Sequence, residues 1–371
     1  MNNMNVLFLA INLGGGGAER VLVNLANHMA GDGYGVTVRV LANTETGSNV
    51  GRLSPKVKYE SVFRKSFRGM NYLYLLPHRW IYNKVAYGDF DVIVVYLHGV
   101  LTKIVSYAPK EQKTVAYLHA NMQQSPFMKS FKNRNAIEKC FSGYSRIVSV
   151  SEDVQRSFIK ASGIDDSRLM VIYNTFDVPG ILQKSKEPIA VIKHQFHLCS
   201  VGKLEDCKGY PRLARIIKRL CDENFDVHLT LVGDGPERKE IEAFIEANHL
   251  GDRISLAGFD SNPYKYIANS DLFVCSSFTE GFSSVVAESL ILGVPVITTD
   301  CAGMQEMLGK NEYGIITENS EEALYEGLKR LLSEPEMLAY YKKKAQERAS
   351  FFSPAQTVGA VEQMLETVAK E

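Results

Sequence analysis

Glu280 and Glu288 stand eight positions apart in the segment Ser276-Ser277-Phe278-Thr279-Glu280-Gly281-Phe282-Ser283-Ser284-Val285-Val286-Ala287-Glu288. The segment follows the apolar run Leu272-Phe273-Val274-Cys275 and opens a helix that Gly293 ends, with Pro295 entering the next strand. A helix start carries backbone N–H groups without intrahelical partners, and its dipole favours an anion there. Gly281 lets a ligand come close to the backbone, and Ser283 or Ser284 is placed to cap the helix. Carboxylates accept several donors at once, which suits the hydroxyls of a sugar or ribose. The chemistry implied is a seat for a diphosphate, with carboxylates gripping hydroxyls on either side.

Other candidates sit at ends of apolar runs. Lys203 and Lys208 lie beside Gly202 and Gly209, just after the run Leu198–Val201. Val232-Gly233-Asp234-Gly235-Pro236 ends a strand in a tight turn, with Pro at the first position of a helix. His119 closes Tyr117-Leu118-His119, and His98 closes another strand. Gly14-Gly15-Gly16-Gly17 suggests a phosphate loop, but the dinucleotide spacing G-x-G-x-x-G fails: its last position falls on Glu19 or Arg20. Asp89-Phe90-Asp91 precedes the strand Val92–Leu97, at the end opposite the other candidates, and reads as a solvated strand entry. No metal is expected. The six cysteines include no C-x-x-C pair and read as reduced thiols.

These residues need a scaffold of strands feeding helices. Apolar strands at 6–11, 36–41, 92–97, 114–118 and 146–150 alternate with amphipathic helices, the first of which places Leu22, Leu25, Ala26 and Met29 on one face. A second alternating series runs from His197 through strands at 227–232, 254–257, 272–275 and 294–298, with helices between them. Helices over 321–349 and 354–369 close the chain. Alternation of this kind specifies parallel α/β sheets. At 371 residues two such domains are expected: residues 1–178, a linker at 179–194 containing Pro179, Gly180 and Pro188, residues 195–353, and a helix at 354–371 returning toward the first domain. A cleft between the domains is expected, with ligands outside the carboxyl ends of the strands.

With these motifs in place, the chain resembles the retaining GT-B transferases of glycosyltransferase family four over nearly its whole length. Phe278 to Glu288 resembles the family's E-x7-E signature. The resemblance implies that Glu288 grips the nucleotide ribose, while Glu280, Gly281, Phe282 and Ser283 contact the donor sugar. Gly202-Lys203-Leu204 with Lys208-Gly209 resembles the G-R-L…K-G element, whose two cations neutralise the leaving diphosphate. Lys203 stands where Arg is usual, so charge is kept but the bidentate fork is lost. Gly233 resembles a framing glycine, and Gly258-Phe259 with Tyr264 resembles the segment that cradles the base. Gly15, Gly16, Gly17 and Arg20 resemble the G-G-A-E-R loop, implying donor contact for the glycines and acceptor contact for Arg20. His119 corresponds to the family's cleft histidine. Ser149-Val150-Ser151 and Asn174-Thr175-Phe176-Asp177 resemble segments bordering the cleft, where capping and turn chemistry account for them.

The resemblance implies transfer of a hexose or N-acetylhexosamine from a nucleotide-sugar, with UDP preferred, to a glycan or lipid-linked glycan. Retention by front-face attack and independence of metal go with it, as does a role in building surface polysaccharides. Lys203, Lys208 and the helix N-terminus would stabilise charge on the departing diphosphate. Two other classes fit the same paired domains: a sugar-nucleotide epimerase, which needs no acceptor, and a catalytically silent nucleotide-sugar binder.

Composition agrees with an ordinary globular chain, 45% hydrophobic and 23% charged, which excludes disordered and fibrous classes. Net charge is zero but unevenly divided: residues 1–178 hold 21 Lys+Arg against 13 Asp+Glu, and the remainder 21 against 29. The short strand near the start has neither a basic n-region nor the length of a signal peptide, so a cytoplasmic location is expected. Basic and aromatic residues mingle at Phe63–Arg68, Tyr72–Trp80 and Met128–Arg134, which suits peripheral contact with an anionic membrane. No nucleic-acid-binding module accompanies them.

Overall fold

The computed structural model describes residues 4–14, 16–43, 49–190 and 194–371. The chain divides into two compact units, Met1–Phe176 with Pro354–Glu371, and Asp177–Ser353.

The first unit holds a parallel sheet of β1 (Asn5–Ala10), β2 (Gly35–Ala42), β3 (Lys58–Phe63), β4 (Val92–Val95), β5 (Lys113–Leu118), β6 (Arg146–Ser149) and β7 (Leu169–Val171). Their order is β3-β2-β1-β4-β5-β6-β7. Val6–Ala10 and all of β4 are buried, as continuous apolar runs in a parallel sheet should be. The helix Gly17–Gly31 turns Val21, Leu22, Leu25, Ala26 and Met29 inward. The helix Pro354–Lys370 packs against it and against β4, burying Val361, Met364, Leu365 and Val368. Tyr34 donates to Glu366 Oε1 at 3.1 Å, and Arg146 pairs with Glu371.

The second unit holds β8 (Phe196–Val201), β9 (Val227–Val232), β10 (Ile254–Gly258), β11 (Leu272–Cys275), β12 (Val296–Thr299) and β13 (Ile315–Thr317), in the order β10-β9-β8-β11-β12-β13. All these pairs are parallel, β8 and β9 running in register from Phe196 with Val227 to Val201 with Val232. The helix Tyr210–Asp222 buries Leu213, Ile216, Ile217 and Leu220, spaced i, i+3, i+4, i+7, in the core of this unit.

Both sheets start at their centre and grow first one way, then the other. The strand order therefore reverses beside β1 in one sheet and beside β8 in the other. At such a switch point neighbouring loops part to opposite sides and leave a crevice at the strands' carboxyl ends.

Two features depart from the sequence reading. Three edge strands, β3, β7 and β13, carry no clear signal because none of their residues is fully buried, so no continuous apolar run marks them. The stretch read as a linker at 179–194 begins instead as a helix, Val178–Lys184, within the second unit. Asp177 caps it by accepting the Gly180 N–H at 3.1 Å, and Pro179 sits in its first turn. It packs against the helices Tyr264–Ala268 and Ser284–Ile291. Residues 191–193 of that stretch lie outside the described residues.

Candidate active site

The loops after β8, β9, β10 and β11 meet at the switch point of the second sheet. Gly202 N–H donates to Val232 O at 3.0 Å, Leu204 N–H to Asp234 O at 3.0 Å, and Gly233 N–H to Gly258 O at 2.8 Å. Gly233 has φ of 145°, and a Cβ there would lie 1.9 Å from the Gly202 carbonyl oxygen. Only glycine allows these two loops to touch. Gly209, at φ 64°, is equally constrained: a Cβ would sit 2.4 Å from Ser276 O. The Lys208-Gly209 turn thus lies directly on the loop that follows β11.

Lys208 Nζ reaches Glu280 Oε1 at 2.7 Å, and the same oxygen accepts from Ser277 Oγ at 2.7 Å. Glu280 is 10% exposed and Lys208 22%. Burial alone would lower the Lys208 pKa, but the charge and hydrogen bond of Glu280 outweigh it and raise the ammonium above its usual value. The cation is therefore fixed and permanent at neutral pH. Lys203 behaves differently. Its side chain is 64% exposed and bonds Glu205 Oε2 at 2.8 Å rather than Glu280.

Beyond Glu280, the chain passes Gly281 and the buried Phe282 into the helix Ser284–Ile291. Ser283 holds the N-cap position without making a side-chain cap. Its hydroxyl is buried and has no partner among the described residues, so it is available to an incoming group. Glu288 is 1% exposed, with Tyr264 Oη 3.5 Å from its Oε1. Phe259 follows Gly258 and is 66% exposed, an aromatic face open to a planar ligand.

What holds the 276–278 loop is not evident from the sequence. Arg212 is 3% exposed and donates to Ser276 O at 2.9 and 2.5 Å, to Ser277 O at 2.9 Å and to Asn319 Oδ1 at 2.9 Å. Its guanidinium lies 3.9 Å from the Phe278 ring centroid. Thr299 Oγ1 adds a bond to Ser277 O at 2.5 Å, and Asn319 Nδ2 one to Phe278 O at 2.9 Å. Arg212 reads in sequence as one more charge in the first turn of an amphipathic helix. Only its burial reveals the clamp.

In the first unit, Gly14 lies in the loop after β1, its N–H bonded to Asn12 Oδ1 at 2.9 Å, and Gly16 and Gly17 start the following helix. Arg20 sits in that helix's first turn, its N–H bonded to Gly16 O at 3.2 Å. Gly15 lies outside the described residues. His119 follows β5, its ring 4.7 Å from that of Tyr96 and its N–H 3.4 Å from His98 Nδ1. Burial, helped by the neighbouring His98, pulls its pKa down to about 3. His119 is thus a neutral imidazole, with a shielded Nε2 that lacks a partner among the described residues. Ser149 Oγ and Asn174 Oδ1 are likewise shielded and unpartnered there, while Ser151 caps the helix Glu152–Ser162. Asp91 accepts the Asn5 N–H at 2.7 Å, at the amino edge of the sheet.

Two parallel-sheet units, with loops converging at a switch point around an ammonium–carboxylate pair, are the scaffold of a GT-B transferase. Solved structures agree on the fold. Anabaena HepE, solved with UDP and glucose, matches 98% of this chain and 100% of its own at 21% identity and TM-score 0.77. Sucrose-phosphate synthase of Thermosynechococcus elongatus matches 99% of each chain at 14% identity and TM-score 0.77. The chain belongs to the glycosyltransferases: the "Glycosyltransferase Family 4" model matches residues 15–178 and the "Glycosyl transferases group 1" model residues 183–348. Among relatives, the Campylobacter jejuni N-acetylgalactosamine-N,N'-diacetylbacillosaminyl-diphospho-undecaprenol 4-alpha-N-acetylgalactosaminyltransferase is 36% identical over 54% of this chain and 53% of its own. An uncharacterized glycosyltransferase of Haemophilus influenzae is 22% identical over 91% of this chain and 93% of its own. The chain spans about half the length of the first two curated relatives it matches, 53% and 55%.

Proposed function

We propose that this protein transfers a hexose or N-acetylhexosamine from a UDP-sugar to a glycan or lipid-linked glycan, with retention of configuration and without a metal. The observation that carries the proposal is the Lys208–Glu280 pair at 2.7 Å, next to a helix start with an unpartnered Ser283 hydroxyl. The diphosphate would lie against Lys208 and the first N–H groups of the helix Ser284–Ile291. Charge on the departing oxygen is then met by groups already in place, and water need not reorganise. Those fixed positive groups supply what a divalent cation supplies elsewhere. Lys203, exposed and paired with Glu205, would swing onto the diphosphate. Glu288 would accept the ribose hydroxyls, and Phe259 would flank the base.

Retention would follow from attack on the face the nucleotide leaves, with the leaving phosphate taking the acceptor's proton. No side chain near Glu280 is needed as a base under this scheme. His119, neutral by burial, would donate or accept one hydrogen bond to donor or acceptor rather than carry charge. The named activity of the Campylobacter relative supports an N-acetylhexosamine and an acceptor on a lipid diphosphate.

The test is a thermal-shift screen of nucleotide-sugars, followed by turnover with chelator present and proton NMR of the product linkage. A bound donor stabilises the fold in proportion to the logarithm of its concentration. We expect stabilisation by one or more UDP-sugars, loss of that stabilisation in Glu288→Ala, and a product of unchanged anomeric form. An inverted product or a strict metal requirement would sink those parts of the proposal. Absence of any donor-induced shift would sink all of it.

A further inference from the structure

Two basic-aromatic stretches that are distant in sequence form one surface of the first unit. Lys103 joins them: its ammonium lies 4.2 Å from the ring centroid of Tyr74 and 4.4 Å from that of Phe131, and bonds Ser130 Oγ at 2.8 Å. No Asp or Glu occurs between Glu60 and Asp89, or between Glu111 and Glu138. Across those acid-free stretches Arg64, Arg68, Arg79, Lys129 and Lys132 are exposed. Ten large apolar side chains stand exposed among the described residues, and six of them fall between Phe67 and Tyr87. Leu75 is 69% and Trp80 54% exposed. Their backbone is well anchored. The helix His78–Val85 buries Ile81, Tyr82 and Val85, and His78 stacks on Tyr107 with ring centroids 3.6 Å apart.

Exposed apolar groups concentrated in one segment, with exposed cations interspersed, mark a binding surface rather than chance exposure. We propose that it docks the protein on an anionic lipid bilayer, with the arginines and lysines at headgroup phosphates and Trp80, Tyr72 and Leu75 in the interfacial layer. Nucleic acid would use the cations but leave Leu75 and Leu76 in water. The inference deepens the reading that the acceptor is lipid-borne, and rests on that reading for its purpose. Lys65, Ser66 and Met70, on the edge of the patch, also line a pocket of about 480 Å³ with Ile11, Asn12 and Asn43 at the carboxyl ends of β1 and β2. A docked bilayer would therefore hold its headgroup layer beside a polar pocket of the first unit.

Trp80 is the only tryptophan in the chain, so its fluorescence reports directly on the patch. The experiment mixes the protein, without donor or acceptor, with vesicles of phosphatidylglycerol and phosphatidylcholine, or of phosphatidylcholine alone. We expect co-sedimentation and a blue shift of Trp80 emission with the anionic vesicles only, both weakened by salt. The triple variant Arg64→Ala, Arg68→Ala, Arg79→Ala should partition on the order of a hundredfold less, since each cation near an anionic surface contributes a several-fold factor. Its thermal midpoint should match wild type. Unchanged emission of the wild type, equal binding to neutral vesicles, or preference for an RNA oligonucleotide would overturn the proposal. Vesicle binding does not depend on catalysis, so its failure leaves the transferase reading standing.

Discussion

Lys208 and Glu280, 72 positions apart in sequence, meet at 2.7 Å through two loops that follow neighbouring strands, β8 and β11. Each offsets the other's charge in a largely buried position. Breaking one partner of such a pair leaves the other uncompensated. Lys208→Ala should therefore lower kcat/KM on the order of a hundredfold or more, the loss typical of one preorganised donor. Lys208→Arg should recover part of it. Steady-state kinetics, with melting curves to exclude unfolding, decide the point; near-wild-type turnover in the alanine variant would remove Lys208 from the mechanism.

Arg212 offers a second test because it holds the 276–278 loop through the backbone rather than through Glu280. Replacement by Met keeps the aliphatic bulk but abandons the Ser276, Ser277 and Asn319 bonds. Unmade buried hydrogen bonds cost about 1–3 kcal/mol each. We expect a lower melting temperature together with a fall in kcat larger than the change in donor KM, as a displaced Glu280 would produce. A variant that loses stability but keeps kcat would make Arg212 purely structural.

Gly233 tests the convergence of the loops. An Ala Cβ at this position overlaps the Gly202 carbonyl and requires a backbone conformation that L residues rarely adopt. Strain of that kind costs about 1–3 kcal/mol before the overlap is counted. Gly233→Ala should thus melt well below wild type by calorimetry, whereas Gly251→Ala, where a Cβ meets open space, should not. Equal melting of the two variants would show that the loops are not pressed together.

A fourth expectation concerns pH. Burial holds His119 at about 3 and His98 and His228 at about 4, all below their ordinary value of 6.5. The unfolded chain takes up these protons as pH drops through about 6.5, while the folded chain does not, so stability is complete above that pH and is lost as pH falls toward 4. The melting temperature should decline across this window, and more shallowly in His119→Asn. An equal slope in both proteins would mean that His119 is not held neutral.

Much of this was legible in the sequence, for physical reasons. Strands buried on both faces, such as Val92–Val95, announce themselves as unbroken apolar runs, and glycines at loop contacts such as Gly233 mark themselves by type. The acid-paired loop from Glu280 to Glu288 was readable because its chemistry is local. Three things were not readable. Edge strands such as Leu169–Val171 have only one sheet neighbour and are only part-buried, so their pattern is weak. Asp177 and Pro179 signal a helix start, but Gly180 and Pro188 close by signal a turn, and packing against the helix Ser284–Ile291 tipped the balance. The pairing of Lys208 with Glu280, the diversion of Lys203 to Glu205, and the Arg212 clamp all depend on contacts between distant residues that no spacing rule encodes.

The helix Pro354–Lys370 supplies buried side chains to the first unit although it is encoded after the second. A ribosome therefore releases the whole of Asp177–Ser353 before the first unit receives Leu365 and Val368. During synthesis the second unit can complete its core before the first gains the helix that packs on β4 and the helix Gly17–Gly31. Removal of Pro354–Glu371 would thus unmake the unit encoded first and spare the one this segment directly follows.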